Sequence, residues 1–128
     1  MLGIAYAQLG KYELAIPNLT KAVELRPNDT DVLNNLAWVL ATANDVPLQN
    51  ATKATEYAAR ACKLTGYNRP ELLDTLAVAY ASAGKFEEAK AIAGKALSIA
   101  RAADQKNLAA EIERQIKLYE AGQPYQQK

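Results

Sequence analysis

A pattern of small and large residues recurs along this chain at a spacing near 34 residues. That recurrence constrains the fold more than any other feature. A leucine followed by a small residue occurs at Leu2-Gly3, Leu36-Ala37 and Leu76-Ala77, and Gly3 to Ala37 is 34 residues. Three residues after each small one stands a large apolar side chain, Tyr6, Leu40 or Tyr80. Further along each unit, small residues recur seven apart, at Ala15 and Ala22, Ala54 and Ala61, Ala89 and Ala96. Small residues at such places let helix backbones approach closely. Large ones, including Leu19 and Phe86, fill the space between those contacts. Gly10 and Gly84 stand where a first helix would end in a left-handed residue. Pro27 and Pro70 begin or flank connections, where proline is tolerated. Aromatic residues at a fixed repeat spacing read as packing, not as catalytic groups.

The series Leu2-Gly3-x-x-Tyr6, Gly10-Lys11-Tyr12, Ala15, Leu19, Ala22 and Pro27 resembles a nearly complete tetratricopeptide-repeat consensus. Leu76-Ala77-x-x-Tyr80, Gly84-Lys85-Phe86, Ala89 and Ala96 repeat it. The resemblance implies an all-α chain: an α-solenoid of about three helix-turn-helix units plus a C-terminal capping helix, about seven helices in all. The units fall at 1–29, 30–68 and 69–103, the capping helix at 105–121, a single domain over 1–122, and a flexible tail at 123–128. The chain departs from the pattern in the second unit, where Ala37 to Ala77 is 40 residues. Most of the excess lies in Asn44-Asp45-Val46-Pro47-Leu48-Gln49-Asn50, whose composition suits a turn. One more residue falls in the Gly66–Pro70 connection, and the third unit lacks a closing proline and runs on through Arg101.

Leu108, Ile112, Ile116 and Tyr119 recur at helical spacing, with Glu111, Glu113, Arg114 and Lys117 between them. A solenoid needs such a terminal helix to cover its last apolar face. It is similar to the closing helix of many bacterial tetratricopeptide modules. The start of the chain has no equivalent and reads as mid-helix from Met1, which leads us to expect further repeats upstream.

Charge and residue content narrow the function. With 15 Lys+Arg against 14 Asp+Glu, interleaved along every segment, no basic patch invites nucleic acid or an anionic membrane surface. No apolar run reaches the length of a membrane span. A single cysteine, Cys62, and no histidine leave zinc and iron–sulfur sites without ligands. No glycine-rich phosphate loop occurs, and the carboxylates of Glu87-Glu88 and Glu111/Glu113 read as solvated helix surface. No cofactor and no catalysis are expected. The compartment is taken as cytoplasmic by default, a parent protein with a signal peptide remaining open.

The remaining expectation is a binding groove. The first helix of each pair lines the concave side of a solenoid. In the second unit Asp31, Asn34, Asn35, Trp38 and Thr42 should face it, and in the third Glu71, Asp74, Thr75, Val78 and Ser82. Ile4, Ala7 and Gln8 of the first unit and Asn107, Ala110 and Arg114 of the last helix extend the set. Asn35 offers a donor and an acceptor to the backbone of an extended peptide, a placement that the resemblance also implies. A solvated or capping asparagine is the other reading. Trp38 stands at the groove edge, or it packs under the 44–50 segment or against the neighbouring helix; packing is the more usual fate of a lone tryptophan. The clamp by which some relatives hold a terminal carboxylate is absent, since Ile4, Glu71 and Thr75 replace its asparagine and basic residues. Asp31, Glu71 and Asp74 count toward an acidic groove, which favours a neutral or basic extended segment. The expected function is a protein-interaction scaffold, with self-association through the uncapped N-terminal face as the alternative.

Overall fold

A computed structural model describes residues 12–42 and 50–124, with side chains from Ile16 onward. The described residues form six helices and no strand: α1 (Tyr12–Leu25), α2 (Thr30–Thr42), α3 (Ala51–Leu64), α4 (Pro70–Ser82), α5 (Phe86–Ala102) and α6 (Lys106–Glu120). The expected helix at the very start, with Gly3, Tyr6 and Gly10, lies outside the described residues. So do the insertion over 43–49 and the tail beyond residue 124.

Several helix ends have an identifiable local cause. Asp29 Oδ1 accepts from the backbone N–H groups of Asp31 and Val32 at 3.1 and 3.2 Å, closing the open donors at the start of α2. Asn50 Oδ1 accepts from the Lys53 N–H at 3.0 Å at the start of α3. The Asn50 N–H in turn donates to the Leu40 carbonyl at 3.0 Å, so the residue after the insertion is tied back to α2. Pro70 occupies the first turn of α4, where its missing N–H costs nothing. Helices α3 to α6 end alike. Tyr67, Lys85, Gln105 and Gln123 each donate a backbone N–H to a carbonyl five residues earlier, at 2.8 to 2.9 Å. The turn residue before each of these is left-handed: Gly66, Gly84, Asp104 and Gly122.

Helices α2 and α3 form one antiparallel pair, α4 and α5 the next; α1 precedes them and packs on α2, and α6 follows and packs on α5. Across pairs, α2 packs on α4 and the edge of α6 reaches α4, whereas α1, α3 and α5 meet one another at most slightly. The first helices therefore form an inner row and the second helices an outer one, the arrangement of a curved α-solenoid.

Alanine sets the spacing of the outer row. Ala54, Ala58 and Ala61 on α3 and Ala89, Ala93, Ala96 and Ala100 on α5 are all buried, at steps of three and four that keep them on one helix face. Ala37 and Ala77 are fully buried on the inner row. Leu33, Leu36, Leu72, Leu73 and Leu76 fill the space these small residues leave. Each leucine contributes roughly 2 kcal/mol of apolar burial. At the C-terminal end, Ile112 and Tyr119 of α6 close the core, with Leu108 and Ile116 packed against it.

Candidate functional site

In repeat register each expected groove residue on α2 has an equivalent on α4: Asp31 and Glu71, Asn34 and Asp74, Asn35 and Thr75, Trp38 and Val78, Thr42 and Ser82. What they do there differs from rung to rung.

At the first rung Arg69, which precedes α4, supplies a cation that the sequence did not single out. Its Nε donates to Glu71 Oε1 at 2.8 Å, and its guanidinium lies 3.9 Å from Asp31 Oδ1. Two of the three acids counted toward an acidic groove thus share one arginine, which offsets half of their charge. The signal was present in Arg69 and Glu71, two residues apart, but its reach to Asp31 depends on how α4 packs on α2.

At the second rung Asn34 Oδ1 and Asp74 Oδ1 are both buried without a hydrogen-bond donor among the described residues. Asn35 and Trp38, on the same helix, are half-buried, and the Trp38 ring packs against the core cluster. The readings left open for Trp38 meet halfway, since it contributes to packing and keeps an exposed part.

Val78, Thr75 and Thr42 correct the sequence expectation. Val78 is 1% exposed, Thr75 and Thr42 are buried, and none presents its side chain to an open surface. Val78 and Thr75 are covered because α4 is enclosed by α2, α3, α5 and α6, which buries the whole run from residue 72 to residue 79, whereas Thr42 lies at the end of α2. The two hydroxyls turn back on their own helices, Thr42 Oγ1 donating to the Trp38 carbonyl at 2.7 Å and Thr75 Oγ1 to the Glu71 carbonyl at 3.2 Å. Ser82 is half-buried, with its Oγ unpartnered among the described residues.

Asp74 is only 8% exposed and sits where α6 reaches α4. Burial, reinforced by the Glu111 carboxylate, raises its pKa to about 7, against the opposing effect of a hydrogen bond from the Gln115 amide. Gln115 is 2% exposed; its Nε2 also lies 3.5 Å from Glu111 Oε1, and its Oε1 has no donor among the described residues. Glu111 is half-buried and pairs with Arg114, one turn on. The reading of Glu111 as free surface therefore fails, whereas Glu113 is exposed and pairs with Arg101 at 3.4 Å. Asn107, Ala110 and Arg114 are exposed, and Ile4, Ala7 and Gln8 lie outside the described residues. Gln115 escaped the sequence reading because a polar residue at the position before Ile116 looks like surface until α4 is placed beside it.

Cys62 is fully buried on α3, and burial lifts its thiol to about 11, the charge of Lys95 opposing the rise. It is poorly suited to nucleophilic or ligand chemistry. Among the described residues no cluster of potential metal ligands occurs, and no helix is long and apolar enough to cross a membrane.

Residues 1–29 and residues 71–103 each match a family model described as tetratricopeptide repeat. No curated protein matches the chain. Repeats of this kind generally mediate protein–protein interaction or scaffolding. Two matched repeats, and helix pairs stacked with an inner row of first helices, show that the chain belongs to the tetratricopeptide-repeat family.

Proposed function

We propose that the chain is a non-catalytic scaffold whose inner row, α2, α4 and α6, takes an extended segment of a partner protein. The observation that carries this reading is on α2. Asn34, Asn35 and Trp38 share the inner helix, and all three are half-buried, each keeping a part that another chain can touch. Asparagine can pair with peptide backbone whatever its side chains are, and a tryptophan edge supplies apolar area beside it. Arg69 offsets part of the charge of Asp31 and Glu71, so the first rung keeps one net negative charge that a neutral or basic segment tolerates, and Glu111 with Asp74 leaves the far end receptive to a basic one.

The test is selection of displayed random peptides against the chain, repeated with an Asn35→Ala/Trp38→Ala double variant. Peptides that bind the wild type and lose at least tenfold on the variant support the groove. Peptides that bind both equally place binding elsewhere and overturn the reading.

Self-association is a second reading, favoured by Leu25 and Leu64, which are 73% and 47% exposed at the ends of two outer helices, α1 and α3. Light scattering across a concentration series decides it. A constant monomer mass eliminates the dimer, and a mass that rises with concentration and falls back in Leu25→Lys supports it.

A further inference from the structure

We propose that Asp74, Glu111 and Gln115 form a seat between α4 and α6 for a cationic side chain, an arginine or lysine carried by the segment bound along the inner row. The inference rests on the scaffold reading above and gives it a specificity-determining position.

Acceptors outnumber donors at this seam. Asp74 Oδ1 and Gln115 Oε1 are both buried without a donor among the described residues, on side chains more than nine-tenths removed from solvent. Buried acceptors of this kind are costly unless a partner is supplied. A guanidinium or ammonium consists of donors only and carries the charge that a carboxylate pair requires. A neutral amide or hydroxyl could satisfy one oxygen but would not offset Glu111.

The rim of the seat already holds a guanidinium. Arg114 pairs with Glu111, and the two side chains are 67% and 39% exposed, the more solvated part of the cluster. Ion pairs this exposed are weak, so an incoming arginine can displace Arg114 at little cost and reach the acceptors beneath. The other charges near α4 do not compete. Asp31 is held by Arg69, the charged residues of α3 are exposed, and those of α5 are exposed except Lys90, which pairs with Glu87 at 2.8 Å. Asp74, raised by its burial, loses its proton as the cation arrives, so occupancy is accompanied by proton release near neutral pH.

The experiment uses the full isotope-labelled chain and two probes, acetyl-Gly-Arg-Gly amide and the same peptide with citrulline, which keeps the shape of arginine without its charge. The arginine peptide is expected to shift the Gln115 side-chain amide signals and to lower the carboxyl titration midpoint of Asp74 by about one pH unit or more. The citrulline peptide should leave both unchanged. Arg114→Ala removes the internal competitor and should tighten the arginine probe several-fold, whereas Asp74→Asn and, separately, Glu111→Gln should weaken it at least tenfold. Equal responses to both peptides, or unchanged affinity in both carboxylate variants, would overturn the seat. Displayed peptides that need Asn35 and Trp38 yet show no bias toward arginine or lysine would also overturn it, leaving the groove itself standing. An absence of any such peptides would remove both.

Discussion

Asp74 of α4 and Gln115 of α6 meet where the last helix reaches α4, and both are almost fully enclosed. The Gln115 amide donates to the Asp74 carboxyl, yet burial and Glu111 outweigh it and hold the pKa at about 7, against an ordinary value of 3.8. The folded chain therefore keeps a proton that the unfolded chain releases. The stability carried by that proton is complete below about pH 4 and is lost as pH rises to about 7, above which the contribution is flat. The difference between the folded and unfolded carboxyl sets a ceiling of about 4 kcal/mol, and relaxation at the seam brings the observed decline below it. Denaturant unfolding measured from pH 4 to pH 8 should show this decline in the wild type and a shallower one in Asp74→Asn. The variant should gain on the wild type as pH rises, and parallel curves would mean that Asp74 is ionised throughout.

The turn between α5 and α6 offers a test of backbone strain. Asp104 has φ +59°, in the same left-handed turn that glycine occupies after α3, α4 and α6. Its carboxylate reaches Lys106 only at 4.0 Å, with both side chains exposed, so little is lost with it. Asp104→Gly should stabilise the chain by about 0.5–1 kcal/mol and raise Tm by a few degrees. Gly84→Ala is the reverse case. Nothing lies within 4 Å of the added Cβ, so its expected cost of about 1 kcal/mol comes from φ +79° alone. Calorimetry on the two variants should give Tm changes of opposite sign.

Asn50 closes the chain's departure from the regular repeat. Its side chain caps α3 through the Lys53 N–H, while its own N–H is bound to the Leu40 carbonyl. Asn50→Ala should remove only the first of these and cost about 1 kcal/mol. Asn50→Asp keeps the acceptor and adds a favourable charge at the helix start, so it should match or exceed the wild type. A thermal melt in which the two variants lose equally would show that the cap does not hold α3.

The repeat was legible because it is written in small residues whose only use is close packing. Ala37, Ala77, Ala54, Ala61, Ala89 and Ala96 are all buried where the spacing put them. Ile112 and Tyr119 of α6, seven residues apart, share the buried face of that helix. The candidate site was legible only in part. Position in the repeat named the inner face of α2 and α4, but how open that face is depends on what stacks against it. Val78 and Thr75 are buried because α4 has neighbours on four sides, whereas Asn34, Asn35 and Trp38 on α2 keep some exposure. Charge misled for a related reason. Counting acids along the helices missed Arg69, which lies in a connection, and Gln115, which belongs to a helix outside the repeat pattern.

Cys62 reports on the packing of the outer row. The thiol is fully buried on α3 and held at about 11, so at pH 8 the folded chain presents almost no accessible thiolate. Labelling by an aromatic disulfide reagent must then wait for α3 to separate from its neighbours. The expected rate is orders of magnitude below that of the unfolded chain and should rise with any variant that opens this packing. Ala77→Leu is the variant of choice, because Ala77 is fully enclosed on α4, which packs against α3. Overpacking there should cost about 1–3 kcal/mol. If α3 and α4 open together, labelling should accelerate by the same free energy, about tenfold for each 1.4 kcal/mol lost. Loss of stability without acceleration would mean that α3 stays closed when α4 is disturbed. Cooperation between adjacent pairs, on which the stacked architecture depends, would then be absent.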